Sequence, residues 1–140
     1  MIAVDSGFLY ALVDRRDTWH ERAVAHAGTS AEGWVTTWPV LAETCHLFHR
    51  TLSPTQSVEL MADVADGGIV VWEPPQELLA RFPPLMRKYL TLPMDLADAS
   101  LVLLAEHLGH GRILSTDRRD FRTYRWKQRQ PFHNLLEASS

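Results

Sequence analysis

Short apolar runs along the chain alternate with stretches whose apolar residues recur at helical spacing. The runs predict four strands, at residues 1–4, 33–36, 69–72 and 112–115. The helical spacing predicts helices over 7–13, 18–27, from Pro39 onward, 54–65, 74–81 (resuming toward Leu90) and 95–109. Because parallel strands are joined by helical crossovers, this alternation predicts a doubly wound α/β fold around a mainly parallel sheet.

Capping residues and glycines set the predicted helix boundaries. Ser6 is predicted to cap the first helix and Gly28 to end the second. Ser53, followed by Pro54, marks the clearest helix start in the chain. The continuous apolar run 69–72 is typical of a strand buried on both faces.

The C-terminal segment is less regular. Residues 116–120 are predicted as a polar turn, and 123–126 alternate like an edge strand. The last residues, 137–140, are expected to fray.

Composition is that of an ordinary globular protein. The 140 residues predict one domain over 1–140, and 46% hydrophobic against 22% charged residues exclude a disordered chain. The longest apolar run, Leu101 to Ala105, is too short to cross a bilayer, and no leader opens the chain, so we expect a cytoplasmic protein without membrane contact. A single cysteine, Cys45, excludes an internal disulfide and a multi-cysteine zinc module.

Charge is segregated along the chain. Residues 1–111 hold seven Lys and Arg against 14 Asp and Glu, whereas residues 112–140 hold seven against three. Such a chain presents an acidic part suited to cations and a basic part suited to phosphate.

Four carboxylates are predicted to meet at the carboxyl edge of the sheet. Asp5 follows the first strand and Asp117 the last, Asp98 lies near the start of the helix before the last strand, and Glu43 lies about a turn into the helix after the second strand. Carboxylates held close together repel one another, so the cluster predicts a hard divalent cation, Mg²⁺ or Mn²⁺.

Such a metal site favours phosphodiester hydrolysis, because a divalent cation activates water and neutralises charge on a phosphoryl oxygen. Several basic residues directly follow Asp117. Of these, Arg118, Arg119 and Arg122 are predicted to hold flanking phosphates of a nucleic acid. The alternative for this basic segment is an ordinary solvated face.

Four short motifs, in this order and spacing, resemble the signatures of PIN domains, and most closely those of VapC-type toxins. They are Val4-Asp5-Ser6, Leu41-Ala42-Glu43, residues 95–100 (DLADAS) and residues 115–121 (STDRRDF). The resemblance implies a three-layer α/β/α domain and an endoribonuclease that depends on Mg²⁺ or Mn²⁺. It also implies a homodimer that is held inactive by a cognate antitoxin protein in the acidic groove, and RNA as the substrate.

The resemblance also assigns site residues. The family's catalytic and metal-binding acids fall on Asp5, Glu43, Asp98 and Asp117. Its hydroxyl positions match Ser6 and Ser115, which can hydrogen-bond a ligand carboxylate or metal-bound water. Asp95 is an additional acid that the family pattern does not require, and helix capping is the favoured interpretation for it.

Other functions and roles stay open on sequence alone. A PIN-like fold retained as a non-catalytic scaffold would still bind RNA or a protein partner. A response-regulator receiver domain is disfavoured, because Ser6 stands where its second acid is expected and Lys127 is the only late lysine. Trp19 and Trp38 are predicted to help form a dimer or antitoxin groove rather than a substrate contact.

Overall fold

The computed structural model describes residues 1–92 and 94–138, with the side chains of Arg118, Arg119 and Ala138 outside that description. Its strands are β1 (Ile2–Val4), β2 (Trp34–Thr36), β3 (Ile69–Val71), β4 (Arg112–Leu114), β5 (Arg125–Trp126), β6 (Gln130–Pro131) and β7 (His133–Asn134). Its helices are α1 (Ser6–Ala11), α2 (His20–Thr29), α3 (Trp38–Thr51), α4 (Pro54–Ala65), α5 (Phe82–Lys88), α6 (Leu96–Leu108), α7 (Arg118–Thr123) and α8 (Leu135–Ala138), with a 3₁₀ segment at Gln76–Arg81.

A five-stranded sheet runs through the centre in the order β3-β2-β1-β4-β7. Every pairing within it is parallel, as helical crossovers between successive strands require. Helices flank this sheet, so the predicted α/β/α class with a mainly parallel sheet is confirmed.

The core lies around β1 and α6. Ile2, Ala3 and Val4 of the central strand are at most 2% exposed, because β1 is covered on both faces. Helix α6, whose apolar residues cover most of its circumference, is buried from Ala99 through Ala105. Asp95 caps its first turn and Gly109, at φ 77°, ends it in the left-handed conformation.

Two predicted helix boundaries are wrong. Asp5, not Ser6, caps α1, because the extended backbone at Asp5 lets its carboxylate accept the Phe8 amide. Helix α2 continues past Gly28 to Thr29. The Thr29 hydroxyl donates to the carbonyls of Ala25 and His26, so the last turn needs no left-handed glycine.

The prediction that the run 69–72 is buried on both faces is also wrong. Strand β3 is at the edge of the sheet and pairs only with β2, and Val70 is 39% exposed. A continuous apolar run therefore marks an edge strand here.

The C-terminal segment is more structured than predicted. The predicted turn at 116–120 contains the start of α7, and β5 pairs with β6 in a separate antiparallel hairpin instead of forming an edge of the main sheet. That hairpin turns through Lys127 and Gln128, both at positive φ, without the glycine that usually signals such a turn. Strand β7, which the sequence did not indicate, provides the second edge of the main sheet.

Among the described residues, no helix combines the length and the apolar character needed to span a membrane.

Candidate active site

A cleft of about 300 Å³ opens at the carboxyl ends of the central strands. Parallel strands present their carboxyl ends at one edge, where ligands of such folds bind. All four predicted acids line this cleft, and they come from four different parts of the chain: Asp5, Glu43, Asp98 and Asp117. Two more carboxylates, Asp95 and Asp120, also line it.

Asp5 is the most buried of these acids, at 7% exposure. Its Oδ1 accepts the Phe8 amide at 2.9 Å and its Oδ2 accepts the Ser115 hydroxyl. Burial nevertheless raises the pKa of Asp5 to about 7, against the lowering effect of these two hydrogen bonds, and the charges of Asp117 and Glu43 raise it further. A buried carboxyl with this pKa favours a proton or a cation beside it.

Ser115 links the two acids that end β1 and β4. Its hydroxyl donates to Asp5 and accepts the backbone amide of Asp117 at 2.9 Å. Asn134 of β7 fixes the Ser115 backbone from the other side, accepting its N–H at 3.2 Å and donating to its carbonyl at 2.9 Å. The Ser115 hydroxyl thus contacts a candidate ligand carboxylate, one of the two contacts that the resemblance implied for it.

Glu43 is held by Ser6 across two packed helices. The Ser6 hydroxyl at the start of α1 donates to Glu43 Oε1 on α3 at 2.6 Å. Val40 and Leu47, one turn to either side on α3, line the same cleft and direct this face of the helix toward it.

Asp98, in the first turn of α6, is held by an aromatic hydroxyl. Tyr124, which is fully buried, donates its hydroxyl to Asp98 Oδ2 at 3.0 Å. Burial raises the pKa of Asp98 to about 7, and the nearby charge of Asp95 adds to this. Asp95 accepts the Asp98 amide at 2.8 Å, the capping contact that the sequence favoured.

Asp117 caps α7 and accepts the Asp120 amide at 3.1 Å. This position ties Asp117 to the start of a helix directly after β4. Asp120, one turn later, also lines the cleft.

Several residues of the site were not predicted from the sequence, among them Tyr124, Gly7 and Thr116. Tyr124 was assigned to an edge strand, and its contact with Asp98 depends on tertiary structure that brings the end of α7 to the first turn of α6. Gly7 and Thr116 form a second contact: a β-carbon on Gly7 would overlap the Thr116 hydroxyl and come within 3.6 Å of Asp5 Oδ1. Only glycine allows α1 to lie this close to the loop that carries Asp117.

No protein-family model and no curated protein sequence matches the chain. Solved structures do resemble it, among them the crystal structure of the Mycobacterium tuberculosis toxin VapC20, described as cleaving the sarcin–ricin loop. The TM-score is 0.77 at 19% sequence identity, over 85% of this chain and 92% of that one. The chain has a PIN-domain fold. The resemblance drawn from the four motifs is thus confirmed at the level of the fold.

The basic residues predicted to bind nucleic acid lie beside the cleft of this PIN-like fold, in α7. Arg122 does not line the cleft and pairs instead with Glu137 of α8. The side chains of Arg118 and Arg119 lie outside the described residues. Their predicted role stays a prediction.

The lining of the cleft is chemically suited to a hard cation. Within the described residues, its polar side chains are carboxylates and hydroxyls, with neither histidine nor cysteine, as Mg²⁺ and Mn²⁺ prefer. In residues 1–92 and 94–138, however, no three acids, histidines or cysteines are close enough to share one ion. Instead, three of the four candidate acids each accept a different hydroxyl: Asp5 that of Ser115, Glu43 that of Ser6, and Asp98 that of Tyr124.

Proposed function

We propose that this protein is a metal-dependent endoribonuclease that hydrolyses RNA phosphodiester bonds and acts as the toxin of a toxin–antitoxin pair. The observation that carries the proposal is the meeting of four carboxylates from separate elements in one cleft, on a PIN-like fold. VapC20, which has this fold, is described as a toxin that cleaves the sarcin–ricin loop.

Asp5 and Asp117 are the proposed direct ligands of a Mg²⁺ or Mn²⁺ ion. They follow adjacent strands, and the Ser115 hydroxyl joins them. Asp98 is proposed to bind a second ion or to act through water. When bound, the divalent cation supplies positive charge beside the phosphoryl oxygens of the substrate.

Glu43 is the proposed residue that orients the attacking water and accepts its proton. It lies on α3, across the cleft from the strand-end acids, and Ser6 restricts its rotation by donating to Oε1. A carboxylate held in one orientation can accept a proton along a fixed direction, which general-base catalysis requires.

We propose that the antitoxin covers the open side of this cleft. Trp38 and Leu96, 45% and 50% exposed, begin the two helices α3 and α6 that carry Glu43 and Asp98. Exposed aromatic and apolar side chains on the helices that carry the site are suited to burial against a partner protein. We also propose a homodimer in the cytoplasm, on the basis of the resemblance of the four sequence motifs to VapC-type toxins.

The experiment that tests the activity is cleavage of a mixed RNA pool by antitoxin-free protein with Mg²⁺ or Mn²⁺. We expect cutting that EDTA abolishes and that Asp5→Asn reduces by about 100-fold or more. Asp14→Asn is the matched control, because Asp14 is equally buried but bonds to Tyr10 and lies outside the cleft.

Cutting that survives EDTA, or that Asp5→Asn and Asp14→Asn reduce equally, would contradict the proposal. Binding of Mn²⁺ without any cleavage would favour the non-catalytic scaffold. Co-purification with a co-expressed candidate antitoxin tests the proposed partner, and we expect Trp38→Ser or Leu96→Ser to abolish it. Sedimentation velocity tests whether the protein is a dimer.

A further inference from the structure

An open groove of about 420 Å³ adjoins the acidic cleft on the side of α2. Thr116 lines both the groove and the cleft, so the two are adjacent. The remaining lining comes from Thr18 and Trp19, which lead into α2, and from Arg22 in its first turn.

Within this groove the guanidinium of Arg22 lies over the indole of Trp19, 5.1 Å from the ring centroid. Both side chains are half-buried. Indole rings and guanidinium groups are both surfaces on which a nucleobase can stack, and the guanidinium adds a positive charge.

The charge of Arg22 is available to a ligand. Four other arginines pair with acids, namely Arg16, Arg81, Arg112 and Arg122. In the part of the chain that the structure describes, by contrast, no carboxylate lies within ion-pair distance of Arg22. A cation placed beside a cleft that repels phosphate is suited to the flanking phosphate of a bound strand.

The surface continues along α2 beyond the groove. Arg22 also lines a second open depression of about 310 Å³, together with Glu21, Ala25, His26 and Thr29. Of these, Arg22, His26 and Thr29 stand at i, i+4 and i+7, so they share one face of the helix. Trp19 and His26 are about 10 Å apart along the helix axis.

We propose that the face of α2 formed by Trp19, Arg22 and His26 binds single-stranded RNA next to the site of cleavage. One base stacks on the Trp19–Arg22 pair and the adjoining phosphate contacts the Arg22 guanidinium. This inference rests on the proposed function for its choice of RNA, and it assigns to Trp19 a substrate contact that the sequence did not predict.

The test measures binding separately from cleavage. Fluorescence anisotropy of a short labelled single-stranded RNA is recorded in EDTA with Asp5→Asn protein, and gel electrophoresis verifies that the RNA stays intact. Trp19→Leu is expected to weaken binding about 5- to 100-fold, the range for loss of one base–aromatic stack. Trp19→Phe keeps an aromatic face and is expected to retain most of the affinity.

Arg22→Gln is expected to change the salt dependence as well as the affinity. Loss of one phosphate contact makes the slope of log K against log salt less steep by about 0.7 for a single strand. Lys88→Gln is the matched control, because Lys88 also lies over an aromatic ring, that of Tyr89 at 5.3 Å, but lines a groove that shares no residue with the cleft. It should leave both quantities unchanged.

Unchanged RNA affinity in folded Trp19→Leu and Arg22→Gln proteins would overturn the inference, as would equal effects of Arg22→Gln and Lys88→Gln. Conversion of a dimer to a monomer with RNA affinity intact would assign this face to protein contact instead. Binding that depends on Trp19 and Arg22 in a protein that never cleaves RNA would contradict the proposed function and leave this inference standing.

Discussion

Three hydroxyl groups hold three of the candidate carboxylates in place. Ser115 donates to Asp5, Ser6 to Glu43 and Tyr124 to Asp98. Each hydrogen bond offsets part of the cost of burying a carboxylate, and each fixes the direction of its oxygen atoms. At the scale of single residues, activity should therefore depend on groups that do no chemistry themselves.

Tyr124→Phe tests this dependence at one atom. The change removes the hydroxyl that donates to Asp98 and keeps the ring, which packs edge-on against Tyr89 and Phe121. We expect RNA cleavage and Mn²⁺ affinity to fall by about 10- to 100-fold, the usual cost of losing a partner of a metal ligand. Cleavage kinetics and isothermal titration calorimetry measure the two effects.

The matched control for this change is Tyr10→Phe. The Tyr10 hydroxyl donates to Asp14 at 2.6 Å, so its loss also removes a tyrosine–aspartate hydrogen bond, but outside the cleft. A loss of activity in Tyr10→Phe as large as in Tyr124→Phe would mean that the effect comes from general destabilisation.

The resemblance to PIN domains implied supporting roles for Ser6 and Ser115, because they match the hydroxyl positions of that family. Tyr124 was beyond such reasoning, since it is 26 residues from Asp98 and reaches it only through tertiary packing. The sequence likewise does not show that Asp5, Glu43 and Asp98 each accept a hydrogen bond from a different hydroxyl, because these partners are brought together only by the fold.

At the scale of elements, the gap between α1 and the β4–α7 loop determines how far apart Asp5 and Asp117 lie. Asp5 caps α1 and Asp117 caps α7, so each acid moves with its helix. Gly7 and Thr116 are in close contact between the two elements, with no room for a β-carbon on Gly7.

Gly7→Ala is expected to separate these elements. The added methyl overlaps the Thr116 hydroxyl, so either the Thr116 side chain must rotate out of its present rotamer or the backbone must move. We expect a loss of roughly 1–3 kcal/mol in the free energy of unfolding, typical of overpacking, together with weaker Mn²⁺ binding. Urea unfolding and calorimetry provide the measurements.

A second substitution identifies the cause. Thr116→Ala in the Gly7→Ala protein removes the overlapping hydroxyl and should restore most of the lost stability, a coupling that a double-mutant cycle measures. Gly28→Ala is the control, because a β-carbon there meets nothing within 4 Å; it should be neutral or stabilise α2 by up to about 1 kcal/mol. No rescue by Thr116→Ala would refute the steric explanation.

Elements with a clear period could be predicted, and the others could not. Strands β1, β2 and β4 follow from apolar runs, and α4 and α6 from their caps and spacing. Strand β5 falls within the predicted edge strand 123–126, whereas β6 and β7 have two residues each, too few for any periodicity to show. The edge position of β3 depends on strand order, which an apolar run does not encode.

At the scale of the whole molecule, the cleft lowers the stability of the fold that contains it. Parallel strands bring the acids to one edge, as the order of elements in the sequence predicted, and burial then disfavours their charge. Without a cation, folding must either desolvate these charges or protonate them.

Asp5→Asn is expected to stabilise the metal-free protein, and to do so more at high pH. The pKa of Asp5 is about 7 in the folded protein, against the ordinary aspartate value of 3.8 that applies to the unfolded chain. Between these values the folded state binds a proton that the unfolded chain has lost, so stability falls by about 1.4 kcal/mol per pH unit as the pH rises. Asparagine does not ionise, so the stability of Asp5→Asn should not fall with pH for this reason.

The predicted gain in Asp5→Asn is therefore near zero at pH 4 and roughly 2–4 kcal/mol at pH 8, measured by urea unfolding in EDTA. Asp14→Asn should behave oppositely, because the Tyr10 hydroxyl and the Arg16 amide hold the pKa of Asp14 below its usual value, so its charged form stabilises the fold as the pH rises. Added Mn²⁺ should stabilise the parent protein more than it stabilises Asp5→Asn. The cation compensates the buried charge of the ionised Asp5 carboxylate, which asparagine does not carry. A gain that is independent of pH would show that Asp5 is not protonated in the folded state.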